Sequence, residues 1–139
     1  MSVTTRVIRK SRSKEVEKQY LNQIQRIIAK GAQDTMNTAK TSIQSHSSSG
    51  KTYEKYNPRR THTASAAGNP PNTDTGFLAS NITIVFDIDR LGASVESQAE
   101  YSEFLEFGTS KMQARPFLQP ALEENRPKIR SLFARLRAR

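Results

Sequence analysis

Residues 101–122 read YSEFLEFGTSKMQARPFLQPAL, and the fold turns on how this stretch is parsed. Tyr101, Phe104 and Leu105 recur at helical spacing, Phe107 follows, and Gly108-Thr109 ends the run where a chain reversal needs positive φ. The spacing predicts a short apolar helical turn closed by a loop. Pro116 pushes Arg115 toward extended backbone, Phe117 and Leu118 supply anchors, and Pro120 can open a helix, because its missing N–H costs nothing there. The stretch reads as a joint rather than a reaction centre. Tyr101, Phe104, Phe107, Gly108, Arg115, Pro116, Phe117, Leu118 and Pro120 are expected to hold the fold, with Phe107, Phe117 and Leu118 as core anchors.

Upstream of the joint the hydrophobic period falls to two. Ile82, Ile84, Phe86 and Ile88 alternate with Thr83, Val85 and Asp87, the pattern of a strand with one buried face. Residues 90–93 offer a turn, and Ala93, Val95 and Ser97 can return as a second strand. Asp74-Thr75-Gly76 either caps a helical turn through Leu78 or turns directly into the strand. Near the start of the chain, Ser13 is the expected N-cap of a helix reaching about Ser42, with Glu15 and Glu17 in its first turn. Val16, Tyr20, Ile24, Ile27, Ile28, Met36, Ala39 and Ile43 form its apolar stripe, and Gly31 is its weak point, costing ~1 kcal/mol relative to Ala.

Downstream, Leu118, Leu122, Ile129, Leu132, Phe133 and Leu136 form a second stripe. A helix from about Pro120 accounts for it, with Glu123 and Glu124 early, Arg135, Arg137 and Arg139 late, and a kink at Pro127. The fold class expected is therefore α+β. A long N-terminal helix and a kinked C-terminal helix pack on a small antiparallel sheet, forming one domain over 13–139 that follows a basic arm, 1–12. Residues 45–75, rich in Ser, Thr, Asn, Pro and Gly, are inserted as an extended loop or hairpin arm.

The 139 residues suit a single core, but only 35% are hydrophobic and the mean hydropathy is −0.70, so the polar excess belongs in arms and loops. There is no cysteine, which excludes disulfides and thiolate metal sites, and His46 and His62 alone are too few for zinc. No apolar run approaches the ~20 residues that span a bilayer, so neither a membrane nor a secreted protein is expected. The net charge of +9 is segregated: both ends are basic, whereas Asp87, Asp89, Glu96, Glu100, Glu103 and Glu106 make the middle acidic. A basic surface favours nucleic acid, while this segregation equally suits head-to-tail contacts between copies of the chain.

Within 45–75, Tyr53 and Tyr56 are interleaved with Lys51, Lys55, Arg59 and Arg60, a composition fit to bind a phosphate backbone or to lie on a neighbouring subunit. The subunit-interface candidates are Tyr53, Tyr56, Arg59, Arg60, His62, Glu96, Glu100, Glu103 and Glu106. The DNA-facing candidates are Lys51, Lys55, Arg130, Arg135, Arg137 and Arg139. No catalytic, cofactor or metal residue is assigned. Ser49-Gly50-Lys51-Thr52 lacks the first glycine and the strand–loop–helix setting of a phosphate-binding loop. His62, Ser65 and Asp74 supply triad residue types with nothing to fix their geometry, and the glutamates read as an intersubunit face rather than a cation site.

Three further runs appear in order: His62-Thr63-Ala64-Ser65-Ala66-Ala67-Gly68 leading to Pro70-Pro71 and Asp74-Thr75-Gly76 with Leu78, Ser80 and Ile82; then Tyr101-x-x-Phe104-Leu105-Glu106-Phe107-Gly108-Thr109; then Arg115-Pro116-Phe117-Leu118-x-Pro120-Ala121-Leu122. Together they cover about half the chain and resemble the gene-product-ten-like family of Hong Kong ninety-seven type phages and prophages, a neck and tail-component family. Where that family reads Ala-Pro-Gly, this chain has Ala66-Ala67-Gly68. The resemblance implies a non-enzymatic virion protein, assembled in the bacterial cytoplasm at the junction of head and tail. It further implies a six- or twelve-fold ring around the DNA passage, joining head-closure to tail-terminator or tail-tube proteins, with double-stranded DNA as a possible contact in the channel. The other reading of the residues is a small basic nucleic-acid-binding accessory protein.

Overall fold

Ser13–Ser45 forms one helix, α1, about 50 Å long at ~1.5 Å per residue. The computed structural model describes residues 12–45, 48–87 and 89–136. The expected arm 1–12, apart from Arg12, lies outside them, as do Ile88, Arg137 and Arg139. Helix α1 is followed by β1 (Thr52–Tyr56), β2 (Arg59–Thr63), α2 (Phe77–Ser80), β3 (Ile82–Asp87), β4 (Gly92–Ser97), α3 (Ser102–Phe107) and α4 (Leu118–Ala134). The class is α+β: the two long helices pack together with two small antiparallel hairpins. Residues 45–75 thus contain a hairpin of their own, and the sheet expected from 82–97 is the second.

Helices α1 and α4 run antiparallel, since Gly31 meets Ile129 while Asn125 Nδ2 donates to Thr38 Oγ1 at 2.8 Å. Gly31 belongs to this contact. A Cβ there would stand 2.9 Å from Ile129 Cγ1, so the residue that weakens the isolated helix is what lets α4 approach. The core is Ala39, Ile43, Leu78, Ala79, Ile82, Ala99, Phe117 and Ala121, with Met36, Val95, Leu105 and Leu118 packed on it. Only the second half of the α1 stripe enters this core; Val16, Tyr20, Ile24, Ile27 and Ile28 are half-buried. Arg12, not Ser13, supplies the first helical carbonyl, to Val16 N–H at 3.0 Å.

The second hairpin pairs Ile82 with Ser97 through to Asp87 with Gly92. Its apolar face is buried at one end only: Ile82 is buried, Ile84 is half-buried and Phe86 is exposed, because α1 and the core lie under the start of β3. Asp74-Thr75-Gly76 takes the first of its two alternatives. Gly76, at φ 76°, precedes the short helix α2, and its N–H donates to Thr73 Oγ1 at 2.9 Å.

The joint at 101–122 parses as a short helix, a glycine turn and a long helix. Gly108 has φ 75°, and a Cβ there would stand 2.8 Å from Met112 O and Ala114 N, so both conformation and space demand glycine. Arg115 N–H then donates to Leu105 O at 2.6 Å. Phe117 is 1% exposed and anchors the core; Phe107, expected to do the same, is 72% exposed, and Tyr101 and Phe104 lie outside the core, 43% and 54% exposed. The reason is that α3 presents Leu105 to the core and turns its phenylalanines away.

Helix α4 begins at Leu118, so Pro120 is its third residue rather than its first. Its start is capped from outside. Glu106, expected on an intersubunit face, accepts from Phe117 N–H at 2.9 Å and Leu118 N–H at 3.1 Å through Oε2, and from Gln119 N–H at 2.9 Å through Oε1. The fourth orphan position is Pro120, which has no N–H. The carboxylate and the proline therefore settle the whole first turn. Glu123 and Glu124 lie beyond that turn, Arg135 is the C-cap, and α4 continues through Pro127.

Candidate functional site

The first hairpin is fixed at its base and free at its tip. Gly50 N–H donates to Ala64 O at 2.8 Å and Ala64 N–H to Lys51 O at 3.0 Å, while Asn72 Nδ2 donates to Thr63 O at 3.2 Å. A Cβ at Gly50 would fall 2.3 Å from Ser65 O, so this crossing also requires glycine. Residues 51–61 are all exposed, ending in the turn Tyr56-Asn57-Pro58-Arg59, where the Asn57–Pro58 bond is cis.

Strand register divides the predicted residues between two faces. Tyr53 pairs with His62 and Lys55 with Arg60, whereas Glu54 pairs with Thr61 and Tyr56 with Arg59. The first face turns to Asp74. Lys55 Nζ donates to Asp74 Oδ2, Arg60 Nη2 approaches the same oxygen at 3.2 Å, and His62 Nδ1 lies 3.5 Å from Oδ1. The hydrogen bond from Lys55 holds the Asp74 carboxyl below the usual carboxylate range against the effect of burial, and the Arg60 and His62 charges add to the lowering. Lys55, Arg60 and His62 are thereby engaged within the chain as a latch that positions the hairpin. Tyr56 and Arg59 lie on the second face and are exposed; Tyr56 is 77% exposed and its hydroxyl donates to Glu54 Oε2 at 3.4 Å. Tyr53 carries Lys51 Nζ 5.8 Å from its ring centroid.

Beside the latch is a cavity of about 440 Å³ lined in part by Lys55, His62, Asp74, Tyr101, Leu105 and Arg115. Burial pushes the Tyr101 phenol up. His62 turns to Asp74, and buried Ser65 Oγ has no hydrogen-bond partner, so Ser65 and His62 do not pair. Among the described residues no three His, Asp or Glu side chains are grouped to hold a metal ion.

Helix α3 separates this cavity from a larger groove. Tyr101 and Leu105 face the cavity, while Ser102, Glu103, Glu106 and Phe107 face the groove, of about 940 Å³. The groove's other walls are Gly92–Ser97 of β4, Ile28, Gly31, Ala32 and Thr35 of α1, and Leu118, Leu122, Ile129 and Phe133 of α4. Strand β4 pairs only with β3 among the described residues. The lining is mainly apolar, and Glu96 and Glu103 mark its rim, both exposed; Glu96 Oε1 accepts from Ser94 Oγ at 2.6 Å.

The predicted acidic group is thus divided. Glu96, Glu103 and Glu106 all line the groove, but Glu106 is engaged in the α4 cap, and Glu100 is exposed in the β4–α3 connection. Arg130 and Arg135 are exposed at α4, well along the chain from Lys51 on the hairpin. Asp74 was not singled out for the role it plays. Its signal was present, because Glu54 and Asp74 are the only carboxylates between 45 and 75, among Lys51, Lys55, Arg59 and Arg60. No helix of the described residues is long and apolar enough to cross a membrane. Comparison with protein-family models, curated proteins and solved structures gives no match to this chain.

Proposed function

We propose that this chain is a structural protein of the tailed-phage head–tail junction, assembled in the bacterial cytoplasm. In this reading it forms a ring around the DNA passage and joins head-closure to tail-terminator or tail-tube proteins; it is not an enzyme. The observation that supports the reading best is the surface this chain leaves uncovered. Phe77, Phe86, Phe104, Phe107 and Tyr56 are each more than half exposed, and a projecting hairpin and an apolar groove accompany them. Contiguous apolar surface on a soluble protein marks an interaction site, and the groove is such a surface here. The motif resemblance over residues 62–82, 101–109 and 115–122 supplies the identity of the assembly.

Light scattering at moderate salt, with and without the head-closure and tail-terminator proteins, tests this reading. A closed oligomer or a defined complex is expected; a chain that stays monomeric under every condition refutes it. A second reading as a nucleic-acid-binding accessory protein draws on exposed Lys128, Arg130 and Arg135 of α4. It predicts duplex binding that weakens steeply with salt as counterions are released, and absence of binding at low ionic strength removes it.

A further inference from the structure

We infer that the hairpin tip of one copy, carrying Tyr56 and Arg59, inserts into the groove between β4, α3 and α4 of a second copy, where Glu96 and Glu103 receive the arginine. This rests on the ring assembly proposed above and names the contact that builds it. Three observations lead to it.

The first is complementarity. The free face of the hairpin offers an amphipathic ring beside a guanidinium, Tyr56 directly opposite Arg59 at the turn. The groove offers the converse, an apolar lining that includes Leu122 and Phe107, together with exposed carboxylates at Glu96 and Glu103. Tyrosine and arginine are the side chains best suited to such an insertion, because each buries a large area and keeps a polar end for the rim. The second is engagement. Lys55 and Arg60 are held by Asp74, whereas Arg59, on the opposite face, has no ion pair among the described residues.

The third is placement. The latch holds the hairpin on the Tyr101–Leu105 side of α3, and the groove opens on the Ser102–Glu103–Glu106 side. A hairpin held by Asp74 therefore faces away from its own groove. Two complementary surfaces on opposite sides of one element make a heterologous contact, and repetition of such a contact closes into a ring when the rotation per subunit divides a full turn.

The absence of cysteine makes the test clean. Two single-cysteine proteins, Asn57→Cys at the exposed hairpin turn, which keeps Tyr56 and Arg59, and Ser94→Cys on the groove wall, are mixed and oxidised. The expected product is the mixed disulfide dimer, in clear excess over either homodimer; a mixture giving no more than random pairing overturns the inference. Charge reversal is the second arm. Arg59→Glu, at an exposed site where folding is not at stake, should weaken association at least about tenfold, and Glu103→Arg in the same chain should recover most of it. An oligomer indifferent to Arg59→Glu overturns the insertion and leaves ring assembly standing. A wild-type chain that is monomeric alone and with its neighbours overturns both.

Discussion

Replacing Glu106 by alanine is the sharpest perturbation of the fold. Its carboxylate accepts the N–H groups of Phe117, Leu118 and Gln119 at 2.9, 3.1 and 2.9 Å. Loss of an N-cap side chain costs about 0.5–2 kcal/mol, and a single hydrogen bond to a charged group is worth about 1.5–3 kcal/mol. The three bonds do not add, since water can reach Gln119. The N–H groups of Phe117 and Leu118, however, sit partly buried beside the core anchor, where water is a poor replacement. A loss of about 2–4 kcal/mol is expected for Glu106→Ala, and about half that for Glu106→Gln, which keeps one acceptor oxygen and loses the charge facing the helix dipole. The assay is urea unfolding followed by circular dichroism, with Glu124→Ala as control. Glu124 is exposed on α4 beyond the capped turn, so its loss should stay within about 0.5 kcal/mol. If Glu106→Ala and the control are equally stable, the capping account is wrong.

Two other perturbations separate local from tertiary effects. Gly31→Ala should stabilise an isolated α1 by about 1 kcal/mol, yet it is expected to destabilise this protein by about 1–2 kcal/mol, because the new methyl meets Ile129. A double-mutant cycle with Ile129→Ala should show coupling of at least about 0.5 kcal/mol; strict additivity would refute the contact. Asp74→Asn should release the hairpin, seen as faster tryptic cleavage at Lys55 and Arg59 with the remainder of the fold intact. Because the folded carboxyl titrates below its ordinary value of 3.8, the latch is fully present above that value and is lost as pH falls through the lower folded one. Amide exchange in 52–63 should rise over that acid window in the wild type, and a flat profile would count against the latch.

Much of the fold was legible because it is written in short-range pattern. The stripe ending in Met36, Ala39 and Ile43, the alternation from Ile82, and the glycine turn at Gly108 each follow from the geometry of one segment. The candidate site was less legible. Sequence could assemble Tyr53, Tyr56, Arg59, Arg60 and His62 into one polar arm, but hairpin register decided that His62 and Arg60 face inward while Tyr56 and Arg59 face out. Phe107 and Phe117 look alike as anchors in the sequence, yet one is exposed and the other buried, because helix α3 has a single face against the core and Leu105 fills it.

By itself the sequence determined the two long helices, the 82–97 hairpin and the glycine turn at 108, and that charge is separated between the middle and the ends, since periodicity, φ requirements and composition are properties of neighbouring residues; it left 45–75 open between an extended loop and a hairpin. Only the tertiary structure decided that Glu106 caps a helix eleven or more residues away, that Gly31 is the seat of Ile129, and that Asp74 collects Lys55 and Arg60 but not Arg59. Each of these depends on groups brought together by packing of the two long helices and the intervening hairpins. No pattern along the chain encodes which carboxylate of a polar stretch will meet which cation once that packing is made.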